Sequence, residues 1–163
     1  MRRETGAGVL AKRVVSMALW VASAAAGFAA QAQVPAAEPA ITRTAGDPGL
    51  QWGPCPEFLP AGCRLAVLHG DPAKPNADVF LEVPARSTLA LHWHSSAERM
   101  VLIAGELHVT YEGQATAVLE PGTYAYGPAK RPHGAVCASA VPCVLFIAFE
   151  SPVDAVPVET RRD

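Results

Sequence analysis

Between Arg64 and Phe149 the chain is a succession of short apolar or alternating runs, at 65–68, 79–83, 88–94, 99–104, 106–111, 115–119, 123–126, 134–138 and 144–149. Each is strand length, and turn chemistry punctuates the series: Gly70-Asp71-Pro72, Pro84-Ala85-Arg86, Ala104-Gly105-Glu106, Glu112-Gly113, Glu120-Pro121-Gly122 and Pro128-Ala129-Lys130. No stretch after residue 33 repeats its apolar positions near the helical period of 3.6. The runs predict antiparallel strands joined by tight turns, and so an all-β sandwich or small barrel. With 163 residues in total, one such domain is expected.

The N-terminus is of a different kind. Arg2, Arg3, Lys12 and Arg13 precede an apolar run over 14–30, broken only by Ser16, Ser23 and Gly27, and Ala30-Gln31-Ala32 follows as a small-residue cleavage site. This layout predicts a signal peptide over 1–32, cleaved after Ala32, and an exported, periplasmic or secreted product. An uncleaved anchor is the alternative, but 17 residues rich in Ala make a short span. Arg2-Arg3 lies too far from the apolar run to suggest twin-arginine export.

Removing 1–32 takes away four of 13 basic and one of 15 acidic residues, leaving 9 against 14 and a net charge of −5. That balance argues against nucleic-acid partners, and no second apolar run is long enough for membrane insertion after cleavage. Residues 33–54, rich in Pro, Ala and Gly, are expected to form an extended arm, 55–151 the folded barrel, and 152–163, with Pro152 and Pro157, a tail. Four cysteines in an exported chain point to disulfides. Three pairings are open; two local bridges, Cys55 with Cys63 and Cys137 with Cys143, are the simplest.

The chemistry sits in His92-Trp93-His94-Ser95-Ser96-Ala97-Glu98. Residues two apart on a strand project from one face roughly 6–7 Å apart, so two imidazoles can converge on one ion, and a turn over Ser95-Ser96-Ala97 brings Glu98 to join them. The series His-x-His-x3-Glu-x6-Gly, here His92, His94, Glu98 and Gly105, has the spacing of the first motif of the cupin family, and Gly122, Pro128 and His133 resemble its second motif, Gly-x5-Pro-x-Gly-x2-His-x3-Asn. The resemblance spans roughly 65–149 and implies a double-stranded β-helix, the cupin jelly-roll barrel. It also implies metal ligands at His92, His94, Glu98 and His133. Three positions depart from the pattern: Arg86 and Lys130 stand where the motifs usually have Gly, and Cys137 where Asn is usual.

Three imidazoles and a carboxylate suit one divalent transition metal, Mn, Fe or Zn before Ni or Cu, with open positions for a ligand. Met100 and Leu102 share parity with Glu98, Cys137 shares parity with His133, and Tyr124 and Tyr126 carry hydroxyls; these five are the candidate pocket lining. His69 and His108 read as solvent-facing, Trp93 as outer packing or a subunit interface, and Arg99 and Arg131 as solvated. Ser95 and Ser96 lack a nucleophile's partners. The resemblance points first to a small metal-dependent enzyme, dioxygenase-like oxidoreductase ahead of isomerase or lyase, acting on a small organic molecule in the periplasm. A non-catalytic module that binds or senses a small ligand is the alternative, and a purely structural barrel the third reading. A homodimer, with the 34–54 arm as a strap, fits the family's habits.

Overall fold

Alternation between apolar and polar side chains is satisfied when one face of each strand is buried, and the chain meets that condition with two facing antiparallel sheets. The computed structural model describes residues 38–159. The chain falls into two units, Met1–Pro39 and Ala40–Asp163, and every described element lies in the second. The expected signal peptide and the first residues of the expected arm lie outside the described residues.

The elements are β1 (Trp52–Pro54), β2 (Arg64–His69), β3 (Ala77–Val83), β4 (Thr88–Trp93), β5 (Glu98–Ala104), β6 (Leu107–Tyr111), β7 (Ala117–Leu119), β8 (Tyr124–Gly127), β9 (His133–Cys137), β10 (Cys143–Phe149) and β11 (Val156–Pro157). One sheet has the order β1-β2-β3-β10-β5-β8 and the other β11-β4-β9-β6-β7. Every pairing is antiparallel, as expected. Sequential neighbours pair only at β1–β2, β2–β3 and β6–β7, however, because the chain otherwise crosses from one sheet to the other at each turn. This is an all-β jelly roll. Among the described residues no helix is long and apolar enough to cross a membrane.

The core between the sheets is built from inward residues such as Val79, Val83, Leu102, Leu119, Leu145 and Phe149. A second cluster lies on the outside of the first sheet, where Leu50 packs with Ala66 and Phe80 beside Trp52 and Phe146. The folded unit therefore exceeds the expected 55–151 at both ends. Leu50 is buried and β1 pairs with β2, so this part of the expected arm packs on its own barrel. At the other end β11 pairs with β4, setting Val156 against Trp93 and Pro157 against His92, so the expected tail is an edge strand up to that point.

Two disulfides join Cys55 to Cys63 and Cys137 to Cys143, the local pairing. Both positions where the family motifs usually hold Gly keep a glycine-like backbone: φ is 56° at Arg86 and 62° at Lys130. Each turn takes a left-handed residue although the residue that adopts this conformation most easily is absent. The Lys130 N–H donates to the His94 carbonyl at 2.7 Å, which ties the second-motif turn to the end of β4.

Candidate metal centre

Strand β4 brings the first histidine inward by an irregularity. Its register against β9 shifts between Leu89 and His92, leaving Ala90 and Leu91 exposed while Leu89 and His92 are buried. His133 sits directly across from His92 at the start of β9, His94 follows the end of β4, and Glu98 opens β5 in the opposite sheet. The connection between them is held by Ser96. Its hydroxyl donates to the Ala97 carbonyl at 2.6 Å and accepts the N–H groups of Glu150 and Ser151 at 2.8 and 2.9 Å.

The candidate ligand atoms of His92, His94 and His133 all lie within 4.8 Å of one another. Glu98 completes the group: Oε2 is 3.5 Å from His94 Nε2 and Oε1 is 3.3 Å from His133 Nε2. His92, Glu98 and His133 are buried and His94 is nearly so.

Each ring is oriented by a main-chain carbonyl. His92 Nδ1 meets the Ala90 carbonyl at 2.7 Å, His133 Nδ1 meets that of Arg131 at 3.1 Å, and His94 Nδ1 bonds the carbonyl of Asp154. A carbonyl only accepts, so each Nδ1 carries a proton and leaves Nε2 as the atom that a metal ion would meet. Burial, reinforced by the neighbouring imidazoles, lowers the His92 pKa to about 4 and that of His133 to about 3, so both are neutral near pH 7. Burial pushes the Glu98 carboxyl up, against the opposing pull of His94 and of the Tyr111 hydroxyl, which donates to Oε1 at 3.3 Å. Imidazoles oriented through Nδ1 around a buried carboxyl are what a divalent cation requires, and its charge would offset the cost of burying Glu98. The residues present fit such an ion.

The group closes one end of a cavity of about 250 Å³. Met100 lines it; Leu102, one inward position further along β5, is fully buried in the core beneath. Cys137 is likewise buried, bonded to Cys143 and away from the cavity. Tyr124 and Tyr126 point outward, 59% and 51% exposed, because the inward positions of β8 are Ala125 and Gly127. These three side chains and Leu102 are corrections to the expected lining. Arg99 is paired with Glu150 and Arg131 donates to the Glu112 carbonyl at 2.8 Å, so neither faces the cavity. His69 is exposed, and His108 bonds the Glu106 carboxylate at 2.7 Å, also away from the cavity.

Three contributors escape the motif. Asp154 supplies the carbonyl for His94, accepts the Ser95 N–H at 2.8 Å through Oδ1, and lines the cavity with Val153 and Ala155. The segment Pro54, Cys55, Pro56 and Leu59 lines the cavity as well, and the Phe58 ring lies 6.0 Å from that of His92. Gly127 pairs with Glu98, and a Cβ there would lie 2.6 Å from Glu98 Oε1 and 2.7 Å from the Tyr111 hydroxyl. A glycine inside a strand pattern signals such a close approach, and Gly127 carried that signal.

Comparisons with known proteins agree with this fold. Residues 79–149 match the cupin domain family. Among solved structures, the chain is similar to the DMSP lyase DddQ from Ruegeria pomeroyi (21% identity, TM-score 0.58, 67% of this chain and 61% of that one). It is also similar to an RmlC-like cupin from Shewanella frigidimarina (23% identity, TM-score 0.52, 64% and 86%). The polyketide cyclase RemF from Streptomyces resistomycificus aligns over 76% of this chain and 89% of its own at 17% identity and a TM-score of 0.60. The chain spans less than two thirds of the lyase, and at these identities the likeness is one of fold. No curated protein matches the sequence. Residues 79–149 thus match a cupin domain, and the fold around them is shared with these solved structures.

Proposed function

We propose that this cupin binds one divalent transition metal through His92, His94, Glu98 and His133 and acts as an enzyme on a small organic molecule. The observation that carries the reading is the convergence of three imidazoles, each with its tautomer set by a carbonyl, on a buried carboxyl at the end of an apolar cavity. A purely structural barrel would bury that group at a cost in stability and gain nothing from it. The lyase and cyclase among the structural neighbours bear enzyme names, which supports the same reading.

When bound, the ion would supply Lewis-acid polarisation of a ligand oxygen or, if it is iron or manganese, redox chemistry with dioxygen. The chain's own residues do the rest. The carbonyls of Ala90, Arg131 and Asp154 hold the three rings, Tyr111 fixes one carboxylate oxygen of Glu98, and the apolar walls keep water from the ligand. Export to the periplasm is part of the proposal; the signal layout of 1–32 and the two disulfides support an oxidising compartment. The test is native purification with elemental analysis, followed by turnover and dioxygen-uptake assays on phenols, diketones and organic acids, with His92→Ala and His133→Ala beside the parent. One equivalent of metal, lost in both variants together with turnover, is expected. Metal-free native protein, or loaded protein inert across the panel, would overturn the enzyme reading.

A further inference from the structure

The wall of the cavity restricts what can occupy it. Of its 21 lining residues, 16 are apolar, and the others are the four candidate ligands and Asp154. Among the described residues no lysine or arginine lines it, and neither does any serine, threonine, asparagine or glutamine. Three arginines close in sequence to lining residues are engaged with other partners: Arg64 with Glu82, Arg99 with Glu150, Arg131 with the Glu112 carbonyl. Asp154, the one further charged group on the wall, would repel an anion.

From this wall we infer that the cavity takes a small molecule with a single oxygen-donor end, neutral or singly anionic, and a hydrocarbon body, and that it rejects dicarboxylates and sugar acids. The inference rests on the proposed metal site, because the donor end is placed against the four ligands. Its body then lies along Leu89, Val109, Leu145 and Ile147, under the loop that carries Leu59. A second carboxylate, at the donor end or on the body, would find no counter-ion among the described lining residues and would lose its hydration against apolar side chains. A volume near 250 Å³ lies below the usual range of drug-sized pockets, so the hydrocarbon body is short.

The test uses the full mature chain loaded with cobalt(II) under nitrogen, with the cobalt absorption bands as the readout, so that binding is seen without turnover. Acetylacetone, its homologues extended by one, two and three methylene groups, and malonate are titrated in turn. Both head groups close the same six-membered chelate, but acetylacetonate carries one charge and malonate two. Acetylacetone should bind more tightly than malonate, and affinity should rise by up to about fourfold per methylene until the cavity is filled. Leu59→Arg, at a half-buried loop position, should improve malonate binding by about tenfold or more and flatten the homologous series. Malonate binding more tightly than the diketones, or a flat series in the parent protein, overturns the inference while the metal site stands. Failure to take up cobalt at all overturns the metal site, and the inference with it.

Discussion

Gly127→Ala isolates the link between strand β8 and the carboxylate ligand. The added Cβ would lie 2.6 Å from Glu98 Oε1, 2.7 Å from the Tyr111 hydroxyl and 2.8 Å from Glu98 Cγ. Ordinary carbon contacts begin near about 3.5 Å, so Glu98 must move. The backbone is not the cause, since Gly127 is not among the positive-φ glycines. Both neighbours are buried, and overpacking of this kind costs about 1–3 kcal/mol. The same displacement pulls Glu98 from the Nε2 atoms of His94 and His133, and loss of such positioning typically weakens metal affinity about 10–100-fold. Competition with a chelating dye would measure zinc affinity, and thermal melts with and without zinc would separate metal binding from fold stability. Tyr126→Ala, on the same strand but facing solvent, should leave zinc affinity unchanged. If Gly127→Ala binds zinc as the parent does, Glu98 is not a ligand held in place by this contact.

Ser96→Ala removes the acceptor of the Ser151 N–H and leaves the Glu150 N–H only the longer bond to the Ala97 carbonyl at 3.4 Å, and should lower unfolding free energy by about 1–2 kcal/mol in denaturant titration. Arg86→Gly and Lys130→Gly relieve left-handed residues, and each should change stability by about +1 kcal/mol, read as a higher melting temperature. The metal-free protein should lose stability as pH falls from 6.5 toward about 4. His92 and His133 then take up protons in the unfolded chain while staying neutral in the folded one. Over the range in which the raised carboxyl of Glu98 is protonated only in the folded state, it opposes one of them, so net uptake on unfolding is about one proton. Glu98→Gln should raise that to about two, seen as a steeper dependence of unfolding free energy on pH.

The strands were legible because a half-buried sheet imposes a period of two on the sequence, and all nine expected runs correspond to β2–β10. Their pairing was not, because a tight turn between sheets has the same composition as a hairpin turn. Parity in the pocket was read correctly for Leu102 and Cys137, and depth was not. Each lies four residues along its strand from a candidate ligand, about 13 Å at strand rise, where the cavity has already given way to closed core. Tyr124 and Tyr126 failed for another reason. Large aromatic side chains usually claim the inward face, but the inward positions of β8 are Ala125 and Gly127, and at Gly127 the space is taken by Glu98 and Tyr111.

What the motif reading lacked at the metal centre has one physical character. The four candidate ligands announce themselves by side-chain chemistry and spacing. The groups that orient them are main-chain carbonyls, of Ala90, Arg131 and Asp154, and the room for Glu98 is a missing Cβ at Gly127. A carbonyl has no residue identity, so Asp154 sat unnoticed in a segment whose prolines and lack of periodicity read as a tail. Proline is compatible with an edge strand, and β11 is one: Pro157 pairs with His92 while the chain just before it passes His94. The segment through β11 is therefore part of the candidate metal centre. Substitutions of the Asp154 side chain should perturb the site less than changes that move its backbone.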